Sequence, residues 1–253
     1  MLQITSTQME AWIGQVIWPF FRLLSLFLIA PVLSHQAIPM RVKISLALLI
    51  ALIVAPLLPT APATPLFSPA AWLLVAEQML VGFALGFSLS IVFAALELAG
   101  DMAGLQMGIG FATFIDPQNS TQTPLIGSLL GMLGTLIFLG MDGHLQMLDT
   151  LTGTFRIVPV GAGPNTILQW AHFASLGSQL FTLGLQMALP LVTTMLLCNL
   201  ALGVMGRAAS QLNLFSVGFP LTVLTGLALL YLFLPHMAAP LESALRQGLR
   251  FWQ

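Results

Sequence analysis

Residues 70–96 read AAWLLVAEQMLVGFALGFSLSIVFAAL, an apolar run whose one charged residue is Glu77. A helix needs about 20 apolar residues to cross a hydrocarbon core roughly 30 Å thick, and this run exceeds that length. Its apolar residues are continuous, whereas a membrane barrel strand alternates over about ten residues. The run is therefore read as a membrane helix.

Five further stretches have the same character. Trp12–Leu33 carries Arg22 and Pro19. Val42–Leu58 is flanked and opened by Arg41 and Lys43 and ends among Pro56 and Pro59. Leu125–Met141 is short and glycine-rich, Leu180–Met205 is interrupted by Pro190, and Val217–Leu234 is predicted to stop at Pro235. The fold class that follows is all-α: an integral membrane protein of about six apolar helical segments, some kinked or not spanning. No basic residue precedes the first run and no small-x-small site follows it, so it is read as retained rather than cleaved.

Composition agrees. Of 253 residues, 58% are hydrophobic and 6% charged, against roughly 25% charged in a soluble domain; mean hydropathy is +0.98. A soluble globular enzyme is excluded, and so is a disordered chain, which needs low hydrophobicity and high charge. With net charge −1 and no basic cluster, nucleic acid is not a partner, because phosphate binding needs clustered cations. Cys198 is the single cysteine, so there is neither an intrachain disulfide nor a cysteine metal site.

The connecting segments differ in kind. Pro59–Pro69 is proline-rich and reads as a stiff connector, while Gly143–Trp170 reads as a surface excursion. From Pro240 onward, Leu241, Leu245, Leu249 and Trp252 share one helical face opposite Glu242, Arg246 and Arg250. Residues 236–253 are thus expected to form an amphipathic helix for a membrane interface or a partner helix. Loop charge should orient the bundle, yet simple alternation puts Arg41, Lys43 and Arg207 on one side and Arg156, Arg246 and Arg250 on the other. That tie points to runs that do not cross the bilayer in the ordinary way.

The densest signal is residues 97–124, ELAGDMAGLQMGIGFATFIDPQNSTQTP. Gly100, Gly104 and Gly108 recur every four residues on one helix face, as small residues do where membrane helices approach closely; Gly82 with Gly86 and Gly127 with Gly131 repeat the spacing. Gly108 and Gly110 also read as a hinge. Beyond them, Phe111, Phe114 and Ile115 are apolar, and Asp116-Pro117 turns the chain. That segment is either an extramembrane loop or a re-entrant element facing a pore.

Intramembrane charges are functional candidates by default. Arg22, Glu77, Glu97 and Asp101 qualify as buried polar groups. Glu97 and Asp101 share a face and form either a proton-binding pair or the wetted end of a helix, while Arg22 either pairs with an acid or snorkels. Catalytic templates are missing: the sequence has no H-E-x-x-H, G-x-S-x-G or phosphate loop, and none of His35, His144, His172 and His236 is spaced as a metal pair. No enzyme activity and no cofactor are expected.

Four segments in order then resemble a known family: Arg22 with Ala30-Pro31 and Ile38-Pro39-Met40-Arg41-Val42-Lys43; Gly100 with Gln106-Met107-Gly108 and Asp116-Pro117; Gly143-His144 with Phe155 and Pro159-Val160-Gly161; and Arg207 with Gln211, Asn213, Phe215 and Pro220. Together they are similar to the FliR family of flagellar biosynthetic proteins of type III export, although Ser210 stands where that family usually has proline. The resemblance implies a single membrane domain over residues 1–253 that fuses P-like and Q-like parts. It implies a pore-forming subunit that passes unfolded flagellar proteins across the bacterial inner membrane within the flagellar basal body. Implied partners are several copies of FliP-like and FliQ-like subunits, an FlhB-like switch protein, exported flagellar proteins and membrane lipids. It also places a pore plug over Gln106–Gln122 and a loop motif at Arg207, Gln211, Asn213 and Phe215. The competing reading is a secondary transporter using Glu77, Glu97 or Asp101, although no internal repeat of the transporter kind is evident.

Overall fold

The computed structural model describes residues 6–59, 62, 64–65, 67–109, 125–162, 170–208 and 214–250. Among them the chain is helical and contains no strand. In order the helices are α1 (Ser6–Ile29), α2 (Met40–Val54), α3 (Pro69–Gln106), α4 (Leu125–Gly140), α5 (Gly143–Ile157), α6 (Trp170–Ala208) and α7 (Leu214–Arg250), with a 3₁₀ turn over Ala55–Leu57 after α2. Trp12–Ile29, Met40–Leu57, Pro69–Gln106, Ser178–Ala208 and Val217–Leu249 are each long and apolar enough to cross a membrane, and α4 with α5 counted together would add a sixth. This is an integral membrane helical protein. Helix α3 has 38 residues, about 57 Å at 1.5 Å per residue. It is thus nearly twice as long as the hydrocarbon core is thick.

Three sequence expectations change. Residues 143–157 are helix α5 rather than a surface excursion, with Met147, Thr150, Leu151, Thr154 and Phe155 buried. They fall at i, i+3, i+4, i+7 and i+8, one face of a helix. The last apolar run does not stop at Pro235, because α7 continues through Pro220, Pro235 and Pro240. In apolar surroundings, ending a helix strands several carbonyls, whereas an internal proline removes a single hydrogen bond. The apolar face of the terminal segment is also already covered: Leu241, Leu245 and Leu249 are buried within the chain. Trp252 lies outside the described residues.

The chain divides into two compact units, one comprising Met1–Ile91, Met141–Gly177 and Leu245–Gln253 and the other Val92–Gly140 and Ser178–Ala244. In the first unit α1 lies along the early part of α3. Contacts rise together in the two helices, from Arg22 with Gln78 to Ser25 with Met79 and Ile29 with Ser90, so they run in the same direction. Ser25 Oγ donates to the Met79 carbonyl at 2.5 Å, and Ser90 Oγ donates to the Ile29 carbonyl at 2.9 Å. Trp18, Ala71 and Leu74 form a small apolar cluster with Ile17, Val75 and Val160 around them. In the second unit the later part of α3 packs against α4. Here the register runs oppositely, Glu97 lying by Gly131 and Gly104 by Ile126, so that pair is antiparallel. Phe93 and Phe138 meet edge to face at 5.8 Å.

Candidate functional site

The glycines mark where these helices touch. A Cβ on Gly82 would collide with the Arg22 carbonyl oxygen, and one on Gly86 would lie 3.2 Å from the Ala30 nitrogen. On the other unit's interface, a Cβ on Gly100 would sit 2.7 Å from both Gly127 Cα and the Ile126 carbonyl. Gly127 faces the Asp101 carboxylate, and a Cβ on Gly131 would meet Glu97 Oε1 at 2.8 Å. Gly104 differs, since its Cβ would reach Ile126 at an ordinary 3.4 Å. Backbone-to-backbone approach of this kind is available to glycine alone.

Arg22 does not snorkel; Glu77 acts on it electrostatically, but among the described residues its hydrogen bonds go to uncharged groups. Wholly buried, it donates from Nε to Gln78 Oε1 at 2.9 Å, from Nη1 to Thr154 Oγ1 at 2.9 Å and from Nη2 to the Val158 carbonyl at 3.0 Å. Its guanidinium lies 3.8 Å above the Phe155 ring, a cation–π contact. One cation thereby ties α1 to α3 and to α5 inside the first unit. Glu77, one residue from Gln78, accepts from the Gly161 amide at 3.2 Å, where Gly161 has the left-handed φ of 88°. Charge alone points Arg22 towards an acid, whereas its partners Gln78, Thr154 and Phe155 are uncharged. The spacing of Thr150, Leu151, Thr154 and Phe155 held the signal that a buried face was there.

Glu97 and Asp101 lie nine and five residues before the end of α3 at Gln106. They lie one turn apart on the face that meets α4. Glu97 is exposed, whereas Asp101 Oδ1 is buried without a hydrogen-bond partner among the described residues. Both carboxylates stand in the space left by Gly127 and Gly131.

The far end of α3 closes on Gln106, Met107 and Gly108. Gly108 has φ 78°, a conformation that costs an L-residue roughly 1–2 kcal/mol. Its amide donates to the Leu105 carbonyl at 3.1 Å, and the Ile109 amide donates to the Gly104 carbonyl at 3.2 Å. This is a Schellman cap with glycine at the left-handed position. Of the remaining expected plug residues, Gly110, Phe111, Phe114, Ile115, Asp116 and Pro117 lie outside the described residues. In the loop motif, Arg207 is exposed in the last turn of α6 and Phe215 lies in the first turn of α7. Gln211 and Asn213 lie outside the described residues. Among the described residues, no group of three or more His, Cys, Asp or Glu could hold a metal ion.

Long apolar helices meeting at glycine faces, with polar groups spent on helix-to-helix contacts, define a polytopic membrane protein. The profile of the family described as bacterial export proteins, family 1, matches residues 13–248, and the chain belongs to that family. It is 42% identical over 238 residues to the flagellar biosynthetic protein FliR of Escherichia coli strain K12, covering 94% of this chain and 91% of that protein. It is 44% identical over 236 residues to FliR of Pectobacterium carotovorum, covering 93% and 90%, and 32% identical over 207 residues to FliR of Bacillus subtilis strain 168, covering 81% and 80%. The chain is a membrane-embedded component of flagellar protein export.

Proposed function

We propose that the chain is a pore-forming subunit of the flagellar type III export gate in the bacterial inner membrane. In this reading it assembles with several FliP-like and FliQ-like subunits and meets an FlhB-like switch protein, and unfolded flagellar proteins pass through the shared pore. The observation that carries the reading is the family match over residues 13–248. Surface chemistry supports it: only 22% of the span in Met40–Leu57, 22% of that in Ser178–Ala208 and 11% of that in Val217–Leu249 is buried within the chain, against 67% in Pro69–Gln106. Three long helices thus present apolar sides that lipid or neighbouring subunits must cover, as an assembly component would.

Residues 106–122 are proposed as the plug of that pore. The chain leaves α3 through the glycine cap at Gly108, and the sequence that follows is apolar over Phe111–Ile115, the composition of a hydrophobic constriction that excludes water.

Co-purification tests the assembly. The tagged chain, expressed with its chromosomal partners and extracted in mild detergent, is expected in a large complex containing the P-like and Q-like subunits. Elution alone or as a small homo-oligomer, with carboxylate-dependent solute uptake, would instead establish a secondary transporter.

A further inference from the structure

Within the first unit a cavity of about 720 Å³ opens between the end of α2 and the outer side of α5, a volume ordinary for small-molecule sites. One wall is apolar, built from Val54, Leu57 and Leu58. The other is a stripe of α5 on which Asp149, Thr152, Gly153 and Arg156 fall at i, i+3, i+4 and i+7, one face of a helix. The middle of that stripe is bare, since a Cβ on Gly153 would meet nothing within 4 Å. Gly82, Gly100 and Gly131 let a neighbouring helix approach; Gly153 leaves open room.

Opposite charges stand at the two ends of the stripe, about 10 Å apart along the helix axis. Among the described residues neither the Asp149 carboxylate nor the Arg156 guanidinium has a hydrogen bond or an ion pair. The Thr152 hydroxyl between them donates to the Asp149 backbone carbonyl at 2.8 Å and leaves the carboxylate open. The cavity also lies at a defined level. The apolar spans Trp12–Ile29 and Pro69–Gln106 begin there and Met40–Leu57 ends there. Gln15 Nε2 donates to the Ala55 carbonyl at 3.2 Å, and Trp18 packs with Ala71 and Leu74, which holds those three span ends side by side. At the end of a span, hydrocarbon gives way to headgroups. From the cavity, Leu57, Ile53 and Leu49 lie exposed at four-residue steps, an apolar track leading back along α2 into the hydrocarbon.

We propose that this cavity binds the headgroup of a zwitterionic aminophospholipid, with the phosphate on Arg156, the ammonium on Asp149 and an acyl chain along Leu57, Ile53 and Leu49. Arginine suits a phosphate because its planar fork meets two oxygens at once. A primary ammonium, joined to that phosphate by a short carbon link, reaches back along the stripe over Gly153 and donates to the carboxylate. An anionic lipid would satisfy Arg156 but leave Asp149 facing a headgroup with no cation. A choline headgroup would bring the charge without an N–H to donate. The site depends on the membrane embedding of α2 and is independent of the pore reading.

The test uses the full chain in the complex extracted from cells in mild detergent and stripped of lipid. It is titrated with dioleoyl phosphatidylethanolamine, phosphatidylglycerol or phosphatidylcholine, and lipid held per copy of the chain is counted by native mass spectrometry. The ethanolamine lipid is expected to bind about tenfold more tightly than either of the others, the worth of one hydrogen bond to a charged group. Gly153→Leu fills the cavity from a position where the Cβ strikes nothing, and is expected to remove one ethanolamine lipid per copy. Asp149→Asn should keep the lipid but abolish the preference over phosphatidylglycerol, and Arg156→Gln should weaken all three lipids. Equal binding of the three lipids by the unaltered chain, or an unchanged count in Gly153→Leu, overturns the proposal. If Gly153→Leu does not assemble, Asp149→Asn decides: loss of the preference supports the site and its persistence refutes it. Dispersal of the complex by Arg156→Gln, with no lipid held at this site by the unaltered chain, would mean that a neighbouring subunit fills the cavity, and the lipid assignment falls. Displacement by equimolar glycerophosphoethanolamine, which has no acyl chain, would contradict the track along α2.

Discussion

Replacing Gly100 and Gly104 by alanine, one at a time, exposes the contact between α3 and α4 to a controlled comparison. The two glycines lie one turn apart on the same face. An alanine methyl at 100 would stand 2.7 Å from Gly127 Cα and from the Ile126 carbonyl, whereas one at 104 would stand 3.4 Å from Ile126 Cγ1. Ordinary contact begins at about 3.4 Å, so the helices must separate by about 0.7 Å at residue 100 and hardly at all at residue 104. What Gly100 meets is backbone, which cannot rotate away. Overpacking of this kind costs about 1–3 kcal/mol, while exchanging glycine for alanine inside a helix returns about 0.5–1 kcal/mol. Gly104→Ala is therefore expected to be neutral or slightly stabilising, and Gly100→Ala to lose about 1–2 kcal/mol net. Thermal unfolding of the detergent-purified complex, together with its yield from cells, reads the difference directly. Equal behaviour of the two variants, or greater damage at 104, would refute the close-packing account of this face.

Arg22→Met strands Gln78 Oε1 and the Val158 carbonyl and leaves the Thr154 hydroxyl only its bond back to the Leu151 carbonyl. At about 1–3 kcal/mol per unpaired buried group, the chain should accumulate poorly, as measured by immunoblot of membranes. The triple variant Arg22→Met, Gln78→Leu, Thr154→Val should recover much of the loss, since an apolar set can replace a buried polar network; no recovery would mean the arginine does more than bridge helices. Glu97→Gln and Asp101→Asn together should leave both assembly and motility near normal if these carboxylates only fill the space beside Gly127 and Gly131. Arrested export in a fully assembled gate would establish a proton-coupling pair instead. Leu245→Asp, which places a charge on a fully buried face of α7, should abolish accumulation of the chain, whereas a face lying free at the membrane surface would tolerate it.

Much of this was legible in residue order. Runs of continuous apolar character locate α1, α2, α3, α4 and α6 to within a turn or so at most of their ends, because few charges interrupt a membrane helix and many interrupt the connectors. The failures have physical causes. Proline reads as a terminator in water, but in α7 continuing the helix leaves fewer stranded carbonyls than stopping it at Pro235. Helix α5 escaped notice because Asp149 and Arg156 sit on its outer side, and its inner face uses Thr150 and Thr154, which hydropathy counts as polar although their hydroxyls bond back to the helix. Arg22 was visible as an anomaly, yet its partners were not, because an uncharged glutamine and threonine carry no signal of their own. The same holds generally: a polar uncharged residue within an apolar run says that it has a partner without saying which.

The central claim is that this chain lines the path of exported proteins, and cross-linking in secreting cells tests it most directly. A photo-reactive amino acid placed at Phe111 or Phe114, with an exported flagellar protein stalled by a folded domain at its trailing end, should yield a covalent adduct between the two. The same group at Leu200, which lies on an exposed apolar side of α6, should yield none. Adducts at residues 111 and 114 that appear only with the stalled protein are the predicted result. Adducts to lipid or to other gate subunits alone, with the stalled protein cross-linking nowhere on this chain, would contradict the account.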